Sequence, residues 1–150
     1  MEFKRINTDR RSFMNLLMIG DPDLKCINKY IDEGTLIAMY EGGKCIGVIH
    51  YKNVYNKVVE IMNIGILKSY INKGYGSKLL RYTIENIKSE GNLKIMLGTC
   101  DSSAKNVAFY KRHGFRILEV WHDYFIENYD EEIYEDNMQC RDMIRMEFFF

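Results

Sequence analysis

The sequence predicts an α/β fold, a mixed sheet flanked by helices in a single domain over residues 1–150. Three observations predict it. Two apolar runs meet around Gly42-Gly43, the pattern of a β-hairpin. The stretch "KVVEIMNIGIL" is nearly continuous in apolar residues, as a central strand is. After it, strand-like and helix-like segments follow in the order β-α-β-α-β-β.

Each element follows from its own residues. "FKRI" is a short strand, and Asp9 to Tyr30 is helical, interrupted at "GDPD" around Pro22, where a turn separates two helices. "TLIAMYEGGKCIGVIHYKNV" supplies the hairpin and "KVVEIMNIGIL" the third strand. Gly74 and Gly76 then open a helix that runs to about Ser89. In it Leu80, Ile84 and Ile87 recur at i, i+4 and i+7, while Lys78, Arg81, Glu85 and Lys88 lie on other faces, so one side packs on the sheet. A break at "EGN" leads to the strand "LKIMLGT" and a helix from about Ser103 to His113, stopped by Gly114. Two further strands, "FRILEVWHDYF" and "MQCRDMIRMEFFF", complete the chain, which has no internal repeat, low-complexity tract or linker.

Composition excludes several classes. A hydrophobic content of 47% with one proline argues against disorder. No apolar run approaches the roughly 20 residues that a membrane-spanning helix needs, and "MEFKRINTDRRSF" has no uninterrupted apolar core of a signal peptide. A cytoplasmic protein with neither a membrane nor a nucleic-acid partner is expected. Cys26, Cys45, Cys100 and Cys140 are far apart, with no C-x-x-C pair and no histidine at ligand spacing, so free buried thiols are expected rather than zinc or a disulfide framework. Residues 1–100 carry 15 basic against 10 acidic side chains, and residues 101–150 carry 6 against 11. A polyanionic ligand would favour the first part and a cation the second; uneven solvated surface is the competing account.

The glycines at the mouth of the helix raise the chemical question. A helix N-terminus leaves its first amides without partners and carries about half a positive charge, which makes it an anion site where no side chain blocks approach. Gly74 and Gly76 clear the way, Lys73 and Lys78 add charge, and Ile71 to Ser77 present successive N–H groups to a phosphate chain. A nucleotide-hydrolysing phosphate loop is excluded because Gly76 is followed by Ser77-Lys78, the reverse of its order, and a dinucleotide fingerprint fails at Leu79. A plain strand-to-helix turn with glycines for tight packing remains the alternative.

The stretch "NIGILKSYINKGYGSKLL", followed by "SSAKNVAFYKRHGF", resembles the GNAT superfamily of acyl-CoA-dependent N-acetyltransferases. The family loop, Gln/Arg-x-x-Gly-x-Gly/Ala, corresponds to Ile71, Asn72, Lys73, Gly74, Tyr75 and Gly76; both glycines match and Ile71 departs from Gln or Arg. Tyr110, Gly114 and Phe115 match the second block, and Ser103 stands where the family often has Asn. The resemblance implies a central, mostly antiparallel sheet with a parallel pair at the coenzyme site. It implies acetyl-CoA as co-substrate, an amine acceptor, and no metal. The pyrophosphate is then held by residues 71–77, Ser77 included, and the pantetheine arm pairs with the strand around Ile64, Gly65 and Ile66. Gly65, lacking a side chain, suits close approach there.

Roles follow from chemistry and resemblance together. Ser103, Asn106 and Tyr110, at i, i+3 and i+7, share one helix face. Transfer to an amine expels a thiolate, and the matching family tyrosine, Tyr110 here, protonates it; a tyrosine simply packed under the helix is the competing account. Glu60 matches by register the general base of the histone-acetylating branch, against a strand glutamate facing solvent or a neighbouring lysine. Between the last strands lies an aromatic, acidic stretch with five acids among Asp130 to Asp136, and its tail, "HDYF" followed by "QCRDM", resembles a bacterial GNAT subgroup. If it borders the acceptor cleft, it attracts a cationic amine, with Trp121, Tyr124, Phe125 and Tyr129 against the substrate; an exposed acidic turn is the alternative. His122 and Asp123, read as neighbours on a strand, point to opposite faces, so that only one of them lines a cleft. Cys100 is the one plausible nucleophile for a ping-pong route, without an assignable His-Asp relay. A non-catalytic acyl-CoA sensor is the second class of function, and a homodimer stays open.

Overall fold

The computed structural model describes residues 1–150 and divides into two compact units, Met1–Asn92 and Leu93–Phe150. In the first unit, strands β1 (Glu2–Ile6), β2 (Thr35–Glu41), β3 (Lys44–Tyr55) and β4 (Val58–Ile66) each pair antiparallel with the next. The β2–β3 turn is the one expected: Glu41 faces Lys44, and Gly42 and Gly43 take φ of 57° and 81°, which such a two-residue turn demands of both positions. Between β3 and β4 the pairing skips Met62, since His50 faces Asn63 while Tyr51 faces Ile61, and the extra residue forms a bulge in β4.

The predicted helical stretch is a short 3-10 turn, Arg10–Phe13, then α1 (Met14–Gly20) and α2 (Leu24–Asn28), broken at Pro22 as expected. Asp23 caps α2 by accepting from the amides of Lys25 and Cys26. Beneath these helices Leu16, Leu17, Ile27, Ile31, Leu36, Ala38 and Val48 form an apolar cluster. Helix α3 (Tyr75–Ser89) buries the predicted Leu80, Ile84 and Ile87, and with them Leu79 and Thr83.

In the second unit, β5 (Lys94–Cys100), α4 (Ala104–Arg112), β6 (Arg116–Trp121), α5 (Tyr124–Asn128), β7 (Tyr134–Glu135), β8 (Met138–Gln139) and β9 (Met143–Phe149) follow in order. Strand β9 runs antiparallel between β5 and β6, and β7 and β8 make a small hairpin. Two sequence expectations are corrected here. The strand expected over "FRILEVWHDYF" ends at Trp121, because Asp123 adopts a left-handed φ of 56° and starts α5. The strand expected over "MQCRDMIRMEFFF" is split into β8 and β9 at Cys140–Asp142. The cysteine expectation is also corrected: Cys100 and Cys140 are joined in a disulfide, and only Cys26 and Cys45 are free. Spacing along the chain hid the pair, because 40 residues separate two sulfurs that the β5–β9 pairing brings together. No helix is long and apolar enough to cross a membrane.

His50 is fully buried, tilted against the Tyr30 ring at 4.9 Å, with Nε2–H donating to the Glu33 carbonyl at 2.7 Å. That carbonyl also accepts from the Arg10 guanidinium at 2.6 Å, and Arg10 reaches the carbonyls of Ile31 and Gly34 as well, so the loop from α2 into β2 is held by side chains from two elements. Burial, with Arg10 and Lys52 nearby, pulls the imidazole from its ordinary 6.5 down to about 4. A depressed histidine leaves the unfolded chain binding more protons between those two values, so stability is fully present above pH 6.5 and is lost as pH falls toward 4. The His50 contribution amounts to about 3 kcal/mol over that window. Denaturant unfolding of the protein and of His50→Gln from pH 7.5 to 4.5 is expected to show this slope in the former only; parallel curves would show that His50 is not its source.

Candidate functional site

The loop between β4 and α3 carries the glycine pattern. Leu67 closes β4 by donating its amide to the Ile46 carbonyl at 2.9 Å, and a 3-10 turn, Lys68–Tyr70, leads to Ile71. Asn72 then takes φ 61°, a left-handed conformation that asparagine tolerates better than other side chains, and Gly74 takes φ 86° as the N-cap of α3. No side chain caps this helix, whose first intrahelical bond runs from the Lys78 amide to the Gly74 carbonyl at 3.1 Å. The first-turn amides, including those of Tyr75 and Gly76, lie at the positive end of a 15-residue helix. Space is open at Gly74, where an added Cβ meets nothing within 4 Å. Lys73 and Lys78 are exposed beside it, Lys78 lying 5.5 Å from the Tyr75 ring, and Ile71 is 46% exposed. The segment thus has the makings of an anion cradle built from main chain.

Strand β4 departs from one expectation. Gly65 does not leave an open approach on its missing side chain, because the space a Cβ would occupy is taken by the Leu16 carbonyl oxygen of α1. Gly20, at the other end of the same contact, is equally tight: a Cβ there would overlap Asn63 Oδ1 and the Ile64 carbonyl. Ile64 and Ile66 are half-buried. Asn63, missed in the sequence, ties the contact down with Nδ2, which donates to the Leu17 carbonyl at 2.7 Å and to the Tyr30 hydroxyl at 2.9 Å; that hydroxyl points on to Asp21 Oδ2 at 3.4 Å. The signal was an amide inside "EIMNIGI", a residue that a buried strand keeps only where it has partners. Glu60 is half-buried in β4 and faces Lys52 on β3, the lysine neighbour weighed as its alternative surrounding.

In the second unit, Ser103 is buried and its hydroxyl caps α4, accepting from the Asn106 amide at 3.4 Å. Asn106 itself is exposed. Tyr110 is 8% exposed, its ring edge-on to Phe109 at 5.2 Å and to Phe115 at 5.7 Å. Burial raises its phenol above the ordinary tyrosine range, so the hydroxyl keeps its proton at neutral pH. His122 and Asp123 do not lie on opposite faces of a strand, which corrects the earlier reading. Past the end of β6 they converge on Asp142: the Asp123 amide donates to Oδ1 at 2.8 Å and His122 Nδ1 lies 3.5 Å from Oδ2, while Arg141 pairs with Asp123 at 3.2 Å. The Asp123 amide bond, aided by His122 and Arg141, holds the Asp142 carboxyl below its usual range. Tyr124 lies tilted to Trp121 at 5.7 Å and edge-on to Phe125 at 5.4 Å, and Phe125 leans on Tyr129 at 5.3 Å, so these aromatics form a connected cluster over the disulfide.

The sequence model of the acetyltransferase (GNAT) family matches residues 6–115. An uncharacterized N-acetyltransferase, YvbK, of Bacillus subtilis (strain 168) is 36% identical over 132 residues, 88% of this chain and 85% of its own length. Among solved structures, an IAA acetyltransferase from Bacillus cereus ATCC 14579 is 37% identical with a TM-score of 0.94, covering 99% of both chains. A GNAT family acetyltransferase from Elizabethkingia anophelis with acetyl-CoA bound is 28% identical with a TM-score of 0.95, over 99% of this chain and 97% of its own. Within each unit the strands pair antiparallel and carry helices, and the likeness to these acetyltransferase structures bears out the expected α/β fold class.

The tight contact of α1 on β4 is checked by substitution. Gly65→Ala places a methyl against backbone that cannot move aside and is expected to cost about 2–3 kcal/mol in denaturant unfolding. Gly43→Ala, strained in φ but meeting nothing, is expected to cost about 1 kcal/mol. Equal costs for the two would contradict the packing described.

Proposed function

The chain belongs to the GNAT family of acetyltransferases, and we propose that it moves the acetyl group of acetyl-CoA to a primary amine by direct attack in a ternary complex. The carrying observation is the loop from Ile71 to Ser77, which enters an uncapped helix through a left-handed glycine inside the matched region. Its main-chain amides, with Lys73 and Lys78, suit the coenzyme pyrophosphate. The family match crosses both compact units, which supports one catalytic domain.

Glu60 takes a proton from the ammonium form of the acceptor. The amine lone pair then forms the C–N bond at the thioester carbonyl, polarised by main-chain groups of Ile64 to Ile66, and the tetrahedral adduct collapses with cleavage of C–S. Tyr110 gives its phenolic proton to the departing thiolate and regains one, through solvent, from the adduct nitrogen, which still carries two hydrogens after attack, leaving coenzyme A and a neutral amide. The Tyr110 hydroxyl holds its proton at neutral pH, as the assignment requires, and the raised pKa makes proton release depend on the thiolate charge that develops beside it. Ser103, Asn106 and the strand and loop residues are proposed to contact the coenzyme, and His122, Asp123, Tyr124 and Tyr129 the acceptor, which the acidic residues from Asp130 to Asp136 make cationic. A ping-pong route has less support, since Cys100 is bonded to Cys140 and offers no thiolate. A cytoplasmic location remains part of the proposal.

Two variants test the donor site and the acid. Gly76→Asp puts a carboxylate in the first turn, where the helix tolerates it but a pyrophosphate does not, and is expected to raise the KM for acetyl-CoA at least about tenfold with folding unimpaired. Tyr110→Phe is expected to lower kcat about a hundredfold with coenzyme affinity retained. Undiminished turnover of the phenylalanine variant would remove the assigned acid. Release of coenzyme A across diamines, aminoglycosides, amino acids and peptide N-termini reads out the acceptor; coenzyme binding with no turnover on any of them would favour the sensor.

A further inference from the structure

The structure assigns to Cys100–Cys140 a second role, that of a redox-modification site at which a dithiol reductant opens a covalent latch on the acidic hairpin β7–β8. The disulfide joins the end of β5 to the residue after β8 and sits under Phe125, Tyr124, Tyr129, Ile133 and Met143. It is built around Ser102. The Ser102 Oγ lies 2.9 Å from Cys100 Sγ and 3.7 Å from Cys140 Sγ, and its main-chain N–H points at Cys100 Sγ at 3.4 Å. The same hydroxyl reaches the carbonyls of Glu135 and Met138, at 3.1 and 3.3 Å, on either side of the hairpin turn. One side chain therefore touches both sulfurs and the segment that they restrain. The Ser102 N–H is a donor aimed at Cys100 Sγ, and the single hydroxyl proton, which the two carbonyls share in the closed form, is within reach of either sulfur when thiol–disulfide exchange expels a thiolate there.

The exchange runs in two balanced steps. Cys100 is 7% exposed and Cys140 1%, so the first thiolate of the dithiol bonds to Cys100 Sγ and the S–S bond breaks toward Cys140, whose thiolate faces the Ser102 hydroxyl. The second thiol of the reductant then closes on its own bound sulfur and expels Cys100 as a thiolate, facing the Ser102 hydroxyl and amide. Two electrons pass from the dithiol to the protein disulfide, the two thiol protons end on Cys100 and Cys140, and the reductant leaves as a cyclic disulfide. Once the sulfurs part, the hairpin has no covalent tie to the β5–α4 turn and is held by the Ser102 hydrogen bonds, the pairing of Asp101 with Arg141 and Asp142, and the packing of Ile133 and Tyr129 in the aromatic cluster. The acidic segment, which the acetyltransferase proposal places beside the acceptor, then loosens; only this last consequence rests on that proposal.

The test uses the whole chain. Thiol titration of denatured protein purified without reductant is expected to give two reactive thiols, and four after native incubation with dithiothreitol; four at the outset, or two after native incubation, would overturn the assignment. Hydrogen exchange over residues 129–139 is expected to quicken at least about tenfold on reduction and to recover on reoxidation. The double variant Cys100→Ser/Cys140→Ser should be fast throughout, and Cys26→Ser/Cys45→Ser should behave as the parent chain. Ser102→Ala should still form the disulfide but open it at least about fivefold more slowly. Exchange that is unmoved by reduction, or opening that is unmoved in Ser102→Ala, would leave a staple and no switch. Coenzyme A release, followed chromatographically, separates the two proposals. No turnover in either redox state with the exchange behaviour intact would sink the acceptor reading alone. Turnover equal in both states would sink the link between latch and acceptor.

Discussion

Helix α1 lies against strand β4 with main chain touching main chain, and this contact sets the frame for the rest of the first unit. It exists only because Gly20 and Gly65 have no Cβ: the Leu16 carbonyl fills the place of one missing methyl, and Asn63 and the Ile64 carbonyl fill that of the other. At such a distance a neighbour cannot yield by rotating a side chain, so the interface has one register. Asn63 adds direction, since its amide nitrogen donates both to α1 through Leu17 and to the Tyr30 hydroxyl beyond α2. The consequence for Ile64 to Ile66 is a strand segment clamped on its helix-facing side. What it offers to a ligand is therefore main chain and the opposite faces of two isoleucines.

Helices α3 and α4 present two kinds of electrostatic environment. An anion held by amides needs donors that side chains have not already claimed, and the N-terminus of α3 meets this with a glycine N-cap in place of the usual serine or aspartate. The end of α4 is the reverse, an apolar pocket in which a charged form is disfavoured. Tyr110, between Phe109 and Phe115, has that pocket. Helix α4 does receive a capping side chain, Ser103, so the two helices are started by opposite devices.

The turns that flank the acidic C-terminal segment are ordered by local hydrogen bonds and ion pairs. Asp142 gathers the Asp123 amide and His122, Asp101 accepts from the Arg141 amide, and the Asp101 amide donates to the Asp142 carbonyl. With the disulfide these bonds fix the turn after β5 to the start of β9, and the aromatic cluster from Trp121 to Tyr129 packs over them.

Much of this was legible in the chain. Gly42-Gly43 dictated a two-residue turn, Pro22 the break between α1 and α2, the stripe of Leu80, Ile84 and Ile87 the buried side of α3, and Gly74 with Gly76 the place where α3 begins, because each is a local rule of φ, ψ or periodicity. The family pattern in residues 71–76 and at Tyr110 was legible for the same reason: it is written in contiguous residues. What needed the tertiary structure was every feature joining residues distant in sequence. Nothing near Gly65 says that Leu16 will occupy its empty side, nothing near Cys100 announces Cys140, and His50 has no meaning until Glu33, Tyr30 and Arg10 surround it. Local sequence fixes dihedral preference and which face is apolar; burial, desolvation and the pairing of remote groups arise only when strands choose neighbours, and those decided the roles of Gly65, the cysteines and the His122-Asp123 turn.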